Sequence, residues 1–123
     1  MKKDFTLDDT LQLAIAFVGL LYNAEYAEAR ELLTPEAAEE WTSVEIAEAW
    51  TGMLRGTGEA QVMAETIAVD AMEGWPEREY LDVAWAYVPV LTEIVNEAVT
   101  LIATTTSDGL RIRFLEFGRP EGV

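Results

Sequence analysis

Along this chain the spacing of apolar residues changes once, from helical in the first half to every second position in the second. Thr6 is placed to cap a helix starting at Leu7, with Asp8 and Asp9 near its positive end. Leu11, Ile15, Val18 and Tyr22 form one stripe along it, and Leu13, Phe17 and Leu20 a second. A helix apolar most of the way round belongs in the interior, so this one is expected at the centre of the fold. Asn23 ends the run. "AEYAEARELL" then reads as a short helix with Tyr26, Ala29 and Leu33 inward and Glu25, Glu28 and Glu31 in water. Thr34 followed by Pro35 opens a third helix, because proline at the first helical position loses no hydrogen bond. Thr42 with Glu45 is a capping box for a fourth, whose inner stripe is Ile46, Trp50, Met53 and Leu54 and which Gly56 ends.

After "GTG" the period becomes two. "AQVMAETIAVDAM" (60–72) predicts a first long strand, and "EGWPERE" a turn at Gly74 and Pro76. "YLDVAWAYVPVL" (80–91) predicts a second strand, whose far end Pro89 confines to an edge or a bulge. "EAVTLIATTT" predicts a third, Asp108-Gly109 a hairpin turn, and "LRIRFLEF" a fourth. "GRPEGV" reads as a frayed tail. Helices followed by an antiparallel meander define an α+β domain: three or four N-terminal helices on one face of a curved, four-stranded, mainly antiparallel sheet. At 123 residues this is one domain, 1–123, with its ordered part at about 5–117.

Composition narrows the chemistry more than it names it. There is no Cys and no His, so disulfides, thiolate metal sites and the commonest general base are all excluded, and no cofactor is expected. Net charge is −15, from 23 acidic and 8 basic residues spread over both halves. Nucleic acid and anionic membranes would be repelled. A basic protein partner, a salt-rich cytoplasm or simple solubility would each suit that charge. Lys2 and Lys3 before an apolar run resemble a signal peptide, but Asp4, Asp8 and Asp9 intervene. Leu11 to Leu21 is also shorter than the ~20 residues a bilayer takes. The segment reads as a mature cytoplasmic helix. "GTGE" (56–59) lacks the lysine of a phosphate loop, and Glu36, Glu39 and Glu40 lack the spacing of a calcium loop.

The stretches "FVGLLYNAEYAEARELLTPEAAEEWTSVEIAEAWTGMLRGTGE" and "YVPVLTEIVNEAVTLIATTTSDGLRIRFLEF" resemble the nuclear transport factor 2-like superfamily, the cystatin-like α+β cone, and especially its small bacterial domains. The likeness runs from about Phe5 to Phe117. It implies a conical cavity between sheet and helices, and helical periodicity places Phe17, Leu21, Trp50 and Met53 near that cavity, where ordinary core is the alternative. Trp41 is placed either at the cavity mouth or as cover for the third helix. The superfamily hosts isomerases, dehydratases, epoxide hydrolases and non-catalytic binding modules, so the fold does not choose among them.

For an enzyme, Asp82 is the candidate base: a mid-strand carboxylate among apolar neighbours, where desolvation raises a pKa. Tyr80 and Tyr22 are then the candidate oxyanion donors, the combination that ketosteroid isomerase-like proteins use. The alternative is that Asp82 pairs across the sheet with Arg111 or Arg113.

Both faces of the 80–91 strand avoid water: Leu81, Val83, Trp85 and Tyr87 on one, and Tyr80, Asp82, Ala84, Ala86 and Val88 on the other. Helices cover one face only. The other, with Trp85 and Tyr87 extended by Val99 and Leu101 and by Leu115 and Phe117, is expected to form a homodimer. Strong curvature wrapping the helices further round would leave a monomer instead. The expected function is a non-enzymatic binding module for an apolar small molecule or a protein. The alternatives are a proton-transfer enzyme using Asp82 and an acidic, immunity-type antagonist of a basic partner.

Overall fold

The computed structural model describes residues 5–54, 66–72, 78–92 and 96–118. Four helices come first: α1 (Leu7–Tyr22), α2 (Tyr26–Arg30), α3 (Pro35–Glu40) and α4 (Ser43–Leu54). They precede four strands, β1 (Ala68–Asp70), β2 (Asp82–Leu91), β3 (Asn96–Thr106) and β4 (Gly109–Phe117), which form one open antiparallel sheet in the order β1-β2-β3-β4. The α+β class and the helices-then-strands order are those expected.

Local chemistry sets the helix starts. Thr6 and Asp9 form a reciprocal capping box, the Asp9 N–H donating to Thr6 Oγ1 (3.2 Å) and the Thr6 N–H to Asp9 Oδ2 (2.8 Å). Thr42 and Glu45 repeat it at 3.1 Å in both directions, and the Thr42 N–H, then its hydroxyl, holds the Glu45 carboxyl below its ordinary value. Thr34 Oγ1 accepts from the Ala37 N–H, with Pro35 opening α3.

The end of α1 is a Schellman motif: Glu25 N–H donates to Leu20 O (2.8 Å) and Ala24 N–H to Leu21 O (3.0 Å). Ala24 carries φ +58°, a position that glycine occupies without strain. Ala24→Gly is expected to raise stability by about 1 kcal/mol, read as a higher urea midpoint at unchanged slope.

The helix-covered face of the sheet is the one bearing Ala84, Ala86, Val88 and Val90, each at 0% exposure. Ala14, Phe17, Val18 and Leu21 of α1 and Ile46, Trp50, Met53 and Leu54 of α4 join that face in one core. The inner stripe of α4 is as expected. That of α1 runs between its two expected stripes: Leu11 and Ile15 are half-buried and Tyr22 is exposed, so the helix lies on the sheet and is not wrapped on all sides. Thr10 is also fully buried, and its hydroxyl has no partner among the described residues.

The first strand is shorter than expected, three residues within 68–70, with Thr66 in a helical turn; 60–65, Gly56, Gly74 and Pro76 lie outside the described residues. Among the described residues, β1 pairs with β2 at Trp85–Tyr87. Pro89 lies just past that overlap. Opposite it, the Ala98 carbonyl accepts from Gly118 on the β4 side, so the polar groups of Ala98 turn away from Pro89 and no ladder bond is lost.

At the β3–β4 hairpin Gly109 takes φ +113°. The Thr106 hydroxyl closes the tip, accepting from the Asp108 N–H (3.1 Å) and donating to the Gly109 carbonyl (2.7 Å).

Four of the residues expected at a dimer face, Val99, Leu101, Leu115 and Phe117, are placed elsewhere. The register sets Ile102 and Thr100 beside Trp85 and Tyr87, whereas Leu101 and Val99 lie opposite Ala86 and Val88. Val99 and Leu101 are therefore in the core at 0% exposure, with Leu115 at 5% and Phe117 packed against them. An apolar run such as "VTLIA" does not declare its phase, and a shift of one residue exchanges the faces.

Candidate functional site

Three features carry the chemistry suggested by the sequence: the Asp82 carboxylate, the helix residues assigned to a cavity, and the outer face of the sheet.

Asp82 and Arg113 are two strands apart, on β2 and β4. Two irregularities in the ladders let them meet. Asp82 pairs with Thr104 and Ala84 with Ala103, leaving Val83 extra; Ile102 pairs with Phe114 and Ala103 with Ile112, leaving Arg113 extra. A bulge re-aims a side chain. Here Arg113 reaches past β3 to grip both oxygens of Asp82, Nε to Oδ1 and Nη2 to Oδ2, each at 2.7 Å. The Glu79 N–H donates to Oδ2 (2.8 Å), and Arg113 Nη1 lies 3.3 Å from the Glu79 carboxylate.

Burial by itself would raise the Asp82 carboxyl. The Arg113 hydrogen bonds, the Glu79 N–H, the guanidinium charge and the Thr104 hydroxyl outweigh it and hold the group below its ordinary value. A carboxylate held charged in this way is a poor proton acceptor at neutral pH. The expected oxyanion donors lie at the surface, Tyr80 at 89% exposure in the turn before β2 and Tyr22 at 51% at the end of α1. The ion-pair alternative for Asp82 holds, with Arg113 as the partner. Arg111 donates to the Leu110 carbonyl instead (2.9 Å).

Phe17, Leu21 and Trp50, placed by periodicity near a cavity, are ordinary core at 0%, 1% and 4% exposure. Met53 differs: besides joining the core, it lines a groove of about 620 Å³ between the last turns of α4 and the outer edge of β4. Trp41 and Phe117 close the groove in an edge-to-face contact, with ring centroids 5.3 Å apart. Arg30 fixes the start of that wall, donating from Nε and Nη2 to Ala38 O (3.1 and 2.7 Å) and from Nε to Trp41 O (3.0 Å). Gly52 forms part of the α4 side, and a Cβ there would meet nothing within 4 Å. Among the described residues, the charged ones lining the groove are Glu48, Glu97 and Glu116.

Sequence reasoning missed this groove because it depends on which strand is left at the sheet edge. Its legible signals were Met53, which periodicity placed near a cavity, and Trp41, which the sequence left between a cavity mouth and a helix cover.

The outer face carries a cross-strand row of Asp70, Trp85, Ile102 and Phe114, followed by Ala68, Tyr87, Thr100 and Glu116. Trp85 and Tyr87 are half-buried, Ile102 is 5% exposed between its large neighbours and Phe114 is 41% exposed. Among the described residues, no three Asp or Glu side chains converge as a metal site, and no helix is long and apolar enough to cross a membrane. Comparison with family models, with curated proteins and with solved structures finds no match for this chain.

Proposed function

We propose that this protein is a non-catalytic binding module, with its ligand site in the α4–β4 groove and a second copy docked on the outer sheet face. The observation that carries the reading is the groove itself: aromatic and Met walls open to solvent, in a fold whose core takes up Phe17, Leu21 and Trp50. Engagement of Asp82 by Arg113 weighs against proton transfer. The arrangement of helices and strands is compatible with the nuclear transport factor 2-like cone that the sequence resembles, as a proposal about ancestry.

For the dimer, the support is the apolar row Trp85–Ile102–Phe114 with Tyr87 and Pro89 beside it. Three long strands make a face about 14 Å wide and about 33 Å long, a footprint of roughly 450 Å². That is at the small end for a stable pair, so dissociation in the micromolar range is expected. Two chains of −15 also repel, so salt should tighten the pair.

Sedimentation across a concentration series tests this. The wild type should pass from monomer to dimer, at lower concentration in high salt, while Tyr87→Glu stays monomeric with unchanged far-ultraviolet circular dichroism. A wild type that remains monomeric at millimolar concentration in high salt would remove the dimer.

A further inference from the structure

We propose that the free edge of β4 takes up an extended, cationic segment of a partner protein, which adds to the sheet as a further strand along the α4–β4 groove. The proposal rests on the reading of that groove as the binding site and deepens it by naming the occupant.

The hydrogen-bonding parity of β4 is the first support. Gly118 N–H donates to Ala98 O at 2.8 Å, and Val99 lies opposite Phe117. In an antiparallel ladder, bonded and non-bonded pairs alternate. Thr100–Glu116 and Ile102–Phe114 are therefore bonded pairs, and the N–H and C=O groups of Leu115 and Phe117 point away from β3, along the edge that lines the groove. Such a row is a template for another strand.

The second support lies on the same edge. Just before the Arg113 bulge, the segment joining α2 to α3 already docks on β4 in this manner: Thr34 N–H donates to Ile112 O and Ile112 N–H to Leu32 O, both at 2.8 Å. Among the described residues, the chain thus covers this edge at Ile112 and leaves it open from Leu115 onward.

The groove chemistry specifies the occupant. A strand beside Leu115–Phe117 turns alternate side chains toward α4, where Trp41, Met53 and the bare Gly52 offer apolar space, and the intervening ones toward Glu116 on the outer face. With Glu116 there and −15 on the whole chain, those intervening residues should be Lys or Arg. A second copy of this chain does not meet the requirement, because pairing of two β4 edges would set the same carboxylates against each other.

The probe is an end-capped peptide of alternating Val and Lys, about six residues long to match a typical strand. Three counterparts accompany it: the same peptide N-methylated at alternate amides, a Val–Glu version, and the apolar dye 1-anilinonaphthalene-8-sulfonate. Binding is followed by amide chemical shifts in the full-length protein. The wild type should bind the Val–Lys peptide with shifts at Leu115 and Phe117. Methylation in the register that blocks the edge bonds, and the change to Glu, should each weaken binding about tenfold or more. Gly52→Trp should abolish binding and Gly52→Ala retain it, with both variants checked for an unchanged melting transition.

Equal binding of both N-methylated registers would overturn strand addition while leaving the groove as the site. Equal binding of the Val–Glu peptide would overturn the cationic partner. Dye binding blocked by Gly52→Trp, with no peptide bound at millimolar concentration, would replace the segment with a small apolar ligand. Peptide binding that survives Gly52→Trp would remove the groove reading itself.

Discussion

Arg113→Met is expected to destabilise the fold by about 3–4 kcal/mol at neutral pH. The Asp82 side chain is fully buried, and losing its counter-ion leaves an uncompensated charge, a change that ordinarily costs about 3–5 kcal/mol. The ceiling comes from protonation. A carboxyl with an ordinary value of 3.8 can be neutralised at pH 7 for about 4 kcal/mol, so the variant need not lose more than that through this group.

The two proteins should respond to pH in opposite directions. In the wild type the folded-state pKa of Asp82 lies below 3.8, so its contribution is complete above that value and is lost as pH falls through the folded pKa. In Arg113→Met the folded pKa is raised above the unfolded one, and the variant should regain stability as pH falls from 7 toward 4. Urea unfolding at several pH values measures both slopes. Asp82→Leu with Arg113→Met should recover most of the loss, because an apolar pair of similar volume avoids desolvation altogether. A single Arg113 variant within 1 kcal/mol of wild type at every pH would show that the pair is not a structural bond, and Asp82 would return as a catalytic candidate.

Phe17→Ala should cost about 3–5 kcal/mol, the range for truncating a buried Phe. Phe17 is fully buried in the cluster that joins α1, α4 and the inner sheet face. Set against the usual 5–15 kcal/mol of a domain, that is a large share, and a fall in Tm of roughly 10–20 °C should accompany it. Met53→Ala should cost less, since part of that side chain faces the groove and water can follow the truncation. Thermal unfolding of both variants separates a filled core from a ligand chamber. If Phe17→Ala were nearly neutral, Phe17 would line open space, and the groove would no longer be the preferred site.

These contrasts trace how far the chain could be read before its fold was seen. Helix starts were legible at Thr6, Thr34 and Thr42 because a cap is made within three residues of itself. The end of α1 at Asn23 was legible too, although the left-handed residue proved to be Ala24, which composition alone gives no reason to choose. The inner stripe of α4 followed from spacing. That of α1 did not, because a helix apolar on several sides has no unique face until a sheet is laid against it.

The sequence by itself determined what is local: four capped or punctuated helices, an alternating second half, a hairpin at Gly109, and a chemistry without His or Cys. Tertiary structure alone decided what depends on register. Pairing put Leu101 and Val99 inside and Ile102 outside. Two single-residue bulges brought Arg113 to Asp82 from 31 positions away, and the strand order left the Leu115–Phe117 edge open beside α4. The physical reason is that capping energies act between neighbours along the chain, whereas the phase of one strand against another is fixed only when their apolar faces are buried together.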